Sequence, residues 1–87
     1  MATSTEGLSD KALSIFTFAA YHRLLSGERV TSVIRTDGKG HQADPDGVAE
    51  LEQRGLATVS ERDISFGDEA GEFVETIVAA LRGQVGR

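Results

Sequence analysis

The chain contains no cysteine, which excludes a disulfide scaffold, a cysteine-ligated zinc or iron-sulfur site, and thiol chemistry. Cations are scarce. Nine Lys and Arg stand against 14 Asp and Glu, a net charge of −5 at pH 7, the wrong sign for a protein whose whole surface attracts nucleic acid or anionic lipid. Long apolar runs are missing too: the densest, Ala12 to Leu25, is broken by Ser14, Thr17, His22 and Arg23 and is shorter than the ~20 residues that cross a bilayer. No membrane contact is expected. Residues 1–7 carry one charged side chain, Glu6, and lack the basic start and apolar run of a signal peptide, so a cytoplasmic location is the expectation. Two histidines leave few catalytic combinations. No serine stands with a histidine and a carboxylate in a recognisable motif, and His22, next to Tyr21, reads as a helix-boundary histidine rather than a general base. No enzymatic activity and no cofactor are expected.

What is present describes one small domain. A chain of 87 residues buries roughly 60 to 70% of its unfolded surface and holds a stability of roughly 4 to 13 kcal/mol. Ser9 precedes a segment in which Leu13, Phe16, Ala20 and Leu24 share a stripe that Ala12, Ile15 and Ala19 widen, predicting a helix over 10–26 that stops at Gly27. Residues 29–35 are β-branched and read as a strand, with a helix as the competing reading because Val30, Val33 and Ile34 also match i, i+3, i+4 spacing. Asp37 to Gly40 mark a turn or exposed loop. Asp44 as N-cap and Pro45 at the first helical position announce a second helix, which carries Val48 and Leu51 inward and ends at Gly55. There Leu56 can fold back on Leu51 in a Schellman stop. Ala57 to Ser60 and Ile64 to Phe66 then form a hairpin, with Val59, Ile64 and Phe66 inward. A last helix starts at Gly67-Asp68, places Ala70, Phe73, Val74, Ile77 and Leu81 on one face, and closes at Gly83. The expected fold is α+β, with three helices and a two- to three-stranded antiparallel sheet in the order helix, strand, helix, hairpin, helix. It occupies residues 9–83, with 1–8 a disordered lead-in and 84–87 a loose tail.

The stretch Val48-Ala49-Glu50-Leu51-Glu52-Gln53-Arg54-Gly55-Leu56-Ala57-Thr58-Val59, followed by Ile64-Ser65-Phe66-Gly67-Asp68-Glu69-Ala70-Gly71, resembles the back half of a winged helix-turn-helix domain. In that family a helix ending in a Leu-x-x-x-Gly-Leu-like step leads into the wing hairpin, and a further helix begins near a small or acidic cap. The resemblance implies a winged-helix-like fold and, as one functional reading, a dimeric DNA-binding transcriptional regulator. The chain departs from that reading where it counts. The counterpart of the recognition helix offers Asp46, Glu50 and Glu52 against Arg54 alone, whereas phosphate contacts come chiefly from Lys and Arg. Base readout favours Arg, Lys, Asn and Gln, of which this helix holds only Gln53 and Arg54. Residues 36–44 also make a longer spacer than the tight turn between the two helices of that motif.

The basic stretch runs over residues 22–41, where Arg23, Arg29, Arg35 and Lys39, with His22 and His41, meet only Glu28 and Asp37. Asp37, Asp44 and Asp46 fail the alternate-position pattern of a calcium loop, and Asp44 and Asp46 are explained by helix capping, so no metal is expected. Two functional readings follow. In the first, the chain is a small acidic, non-enzymatic regulatory module that binds another protein through Asp46, Glu50, Glu52 and Arg54. Val33, Val48, Leu56, Phe66 and Val85 would supply a surplus apolar patch, which could also join two copies as a homodimer. In the second, Arg23, Arg29, Arg35, Lys39, Arg54 and Arg62 meet the phosphates of DNA.

Overall fold

The structure, a computed structural model, describes residues 5–40 and 42–83. Residues 1–4 of the expected lead-in, His41, and the expected tail at 84–87 with Val85 lie outside the described residues. Three helices and a three-stranded antiparallel sheet follow in the order α1 (Asp10–Ser26), β1 (Ser32–Ile34), α2 (Pro45–Gln53), β2 (Ala57–Val59), β3 (Asp63–Phe66) and α3 (Asp68–Leu81). The strands lie in the order β1-β3-β2, an arrangement compatible with winged-helix topology. Among the described residues no helix lies between β1 and α2. An isolated bridge between Thr36 and Gln42 occupies that interval instead.

Local chemistry sets the element ends. The Ser9 hydroxyl accepts from the Ala12 N–H at 3.2 Å, and Asp44 accepts from the N–H groups of Asp46 and Gly47 at 2.9 and 3.1 Å, so both N-caps satisfy donors that the helices cannot. At the end of α2 the Gly55 N–H donates to the Glu52 carbonyl at 3.1 Å and the Leu56 N–H to the Leu51 carbonyl at 3.0 Å, with Gly55 at φ +72°. This is the Schellman stop expected from the sequence, and its left-handed residue favours glycine. In β1 only Val33 points inward while Ser32 and Ile34 face out, a period of two that decides for strand over helix. Register pairs Val33 and Val59 with Ile64 from opposite sides, which leaves Ile64 at the centre of the sheet and fully buried.

α1 forms the spine of the core, packing on α2, α3 and the sheet. Its Ala12, Ile15, Phe16, Ala19 and Ala20 meet Val48 and Leu51 of α2, Ile64 of the sheet, and Val74 and Val78 of α3 in one cluster. Phe16 stacks on Phe66 at 5.6 Å and meets Phe73 edge-on at 4.8 Å, both favourable aromatic geometries. The structure corrects the expected apolar surplus: Val33, Val48 and Leu56 are buried in the core and Phe66 packs against it. A small domain has one core and needs them all. Leu24 and Leu81, expected inside, are exposed, because each sits in the last turn of its helix, beyond the reach of the packing partners.

Candidate functional site

The residues expected to bind a protein partner sit on or beside α2, and most of them are engaged within the chain. Both Glu50 carboxylate oxygens accept from Ser9, one from its N–H at 3.0 Å and the other from its hydroxyl at 2.6 Å. These bonds hold the Glu50 carboxyl below the ordinary glutamate value, the Ser9 hydroxyl contributing most, then the Ser9 N–H, with the Arg54 charge adding to them. The Arg54 guanidinium donates to the carbonyls of Glu6 and Gly7 and lies 3.6 Å from Glu50. Asp46 pairs with Lys11 at 2.9 Å, a hydrogen bond that raises the Lys11 ammonium above its ordinary value, Asp44 helping by charge alone. Residues 5–8, expected in the disordered lead-in, are thus docked: they make a turn tied to Arg54, and Leu8 packs against the core. Glu52 and Gln53, with Asp46 and Ala49, form the solvent side of α2, and that side carries no cation.

The six cations of the DNA reading form no single surface: Arg23 and Arg29 turn to α3, Arg54 to residues 6 and 7, and Arg35, Lys39 and Arg62 gather near the hairpin turn. Arg23 bonds Glu75 at 2.9 Å, the most shielded of the described ion pairs, and Arg29 bonds Glu72, which raises the Arg29 pKa further. Arg35 donates to the Ser60 carbonyl at 3.0 Å. Lys39 and Arg62 line one surface cleft, together with Asp37 and Glu61, so the structure does bring residues 36–39 to the hairpin turn, but as a patch of mixed sign. The three aspartates weighed as a cation loop have separate tasks: Asp44 caps α2, Asp46 pairs with Lys11, and Asp37 accepts from the Lys39 N–H at 2.7 Å.

A surface that neither reading named stands out on α1. Tyr21, Leu24 and Leu25 are 57, 44 and 69% exposed, and Ile34 on β1 is 48% exposed. At 100° per residue Phe18, Tyr21 and Leu25 fall on one side of α1, where Tyr21 and Leu25 stand in water and Phe18, half-buried, packs against the edge of the core. His22 joins them, meeting the rings of Phe18 at 4.5 Å and Tyr21 at 5.3 Å. Below this row lies an apolar groove of about 210 Å³ between α1, β1 and residues 42–44, walled by Ile15, Phe18, Val33, Ile34 and Ala43. The signal was present in the sequence. Between Ala12 and Ser26 the single Lys, Arg, Asp or Glu is Arg23, and that residue is turned to Glu75. The buried stripe expected from the sequence takes in Ala12, Leu13, Ile15, Phe16, Ala19, Ala20 and Leu24 and gives no role to Phe18, Tyr21 and Leu25, the apolar residues left on the other side.

Among the described residues no helix is long and apolar enough to cross a membrane, and no three acidic or histidine side chains gather as a metal site. The fold and this surface define a small α+β domain compatible with winged-helix topology. Compared with known proteins, the chain matches no family model, no curated protein and no solved structure.

Proposed function

We propose that the chain is a non-enzymatic regulatory or interaction module, winged-helix-like in build, that binds another protein through the apolar outward face of α1. The observation that carries this reading is the exposed pair Tyr21 and Leu25, beside half-buried Phe18, on a helix whose inner face already fills the core. Soluble chains seldom leave aromatic and aliphatic side chains side by side in water unless a partner covers them. Asp46 and Glu52 on α2 face solvent away from the core and, with the overall charge of −5, disfavour acidic partners. The DNA-regulator alternative has less support, since the helix that would read bases turns acids and neutral side chains outward and Arg54 is held by Glu6 and Gly7.

The test is a quantitative pull-down that compares wild type with Leu25→Glu and with Glu52→Lys, each checked for an unchanged thermal midpoint. Recovery of a protein by wild type that is lost in Leu25→Glu supports the α1 face. Equal recovery by wild type and Leu25→Glu removes it. Loss confined to Glu52→Lys would move the contact to α2.

A further inference from the structure

We propose that a second copy of this chain covers the outward face of α1, with Tyr21 and Leu25 of each copy seated in the groove of the other. The inference rests on the reading of that face as an interaction surface and adds its occupant. The first argument is size. At about 210 Å³ the groove is smaller than the roughly 300 to 1,000 Å³ of small-molecule sites, and it suits the single apolar anchor that interface pockets take. The chain itself carries such anchors, Tyr21 and Leu25, on the helix that forms one wall of the groove.

The second argument is symmetry. A two-fold axis at the level of residues 19 and 20 lays α1 antiparallel on α1 of the second copy. Residue 18 then lies opposite residue 21, and residue 14 opposite residue 25. Phe18 and Ser14 both line the groove, so one rotation presents both knobs of each copy to the groove of the other. A closed two-fold contact requires this kind of self-complementarity. The knobs stand roughly 5 and 10 Å beyond Phe18 along the helix, at 1.5 Å of rise per residue, close enough to share one contact.

The third argument is charge. Two chains of net −5 repel each other wherever their acids meet. This face is the exception: Phe18, Tyr21 and Leu25 carry no charge, and Arg23, the one full charge between residues 12 and 26, is turned away to Glu75 of α3. Asp44 is the one acid that borders the groove, and its charge is offset in part by that of Lys11. A contact one helix face wide falls at the small end of protein interfaces.

Tyr21 is the only tyrosine and the chain has no tryptophan, so intrinsic fluorescence reads this surface directly. Sedimentation velocity over a concentration series, with acrylamide quenching of Tyr21 on the same samples, tests the inference. Wild type is expected to pass from monomer to dimer with a loss of quenching as the dimer forms. Leu25→Glu, a change on an exposed side chain, is expected to stay monomeric and quenchable with unchanged circular dichroism, and Ser14→Tyr, which narrows the groove, should also lose the dimer. A wild type that remains monomeric and quenchable at every concentration overturns the inference, as does a dimer that survives Leu25→Glu with Tyr21 still quenched. If wild type is monomeric but Leu25→Glu still loses a protein in the pull-down, the second copy is excluded while the α1 surface stands. If neither assay responds to Leu25→Glu, both are excluded.

Discussion

Gly47 shows how closely two helices of this domain approach. A Cβ on Gly47 would lie 2.5 Å from the carbonyl oxygen of Lys11 and 2.8 Å from its carbon, and backbone atoms cannot swing aside as a flexible side chain would. Gly47→Ala is therefore expected to lever α2 away from α1 and cost about 1 to 3 kcal/mol, the range for overpacked cores, measurable by urea denaturation. The same joint contains Glu50. Its carboxyl titrates below the ordinary value of 4.5 in the folded chain, so the unfolded chain binds the proton more readily. The stabilisation is complete above the unfolded value and disappears as the pH falls through the folded one. Glu50→Gln is expected to lower stability at neutral pH and to flatten the acid limb of the stability curve, read from denaturation midpoints over an acid pH series.

At the scale of elements, α1 is the organising piece because it touches both other helices and the sheet. Phe16 is its pivot, fully buried between Phe66 and Phe73. Phe16→Ala is expected to cost about 3 to 5 kcal/mol, much of the stability that a chain of this length possesses. The expected result is a variant that is partly unfolded at 37 °C, seen as a lowered thermal midpoint by circular dichroism. Much of this layer was legible in the sequence. The caps at Ser9 and Asp44, the stop at Gly55-Leu56 and the hairpin between Ala57 and Phe66 all follow from chemistry acting within a few residues of chain. The outward face of α1 left a trace there, the near absence of charge between Ala12 and Ser26, but hydrophobic periodicity reports which residues are apolar and leaves open how many sides of a helix find partners.

For the whole molecule, the charge of −5 gives salt opposite effects on self-association through α1 and on the DNA binding of the alternative reading. Screening weakens repulsion between like-charged copies, so association through α1 should strengthen between about 50 and 200 mM salt. DNA binding through phosphates should weaken over the same range. Sedimentation velocity and fluorescence anisotropy with mixed-sequence duplex DNA, run in the same two buffers, read the two signs. Rising self-association with no salt-sensitive DNA signal is the expected outcome, whereas DNA affinity that drops with salt would return Arg35, Lys39 and Arg62 to first place.

The sequence by itself determined the class of the domain, the order of its elements and most of their ends, because capping, turn formation and apolar spacing are interactions between near neighbours in the chain. Tertiary structure alone decided which charges are available. Arg23 and Glu75, Arg29 and Glu72, and Glu50 and Ser9 are paired across 52, 43 and 41 residues of chain, and no local pattern marks such partners. It likewise decided that Val33, Val48 and Leu56 belong to the core while Tyr21, Leu24 and Leu25 remain in water. Whether an apolar side chain is covered depends on where the other helices and the sheet come to rest against it, and that position is set by the packing of the whole fold.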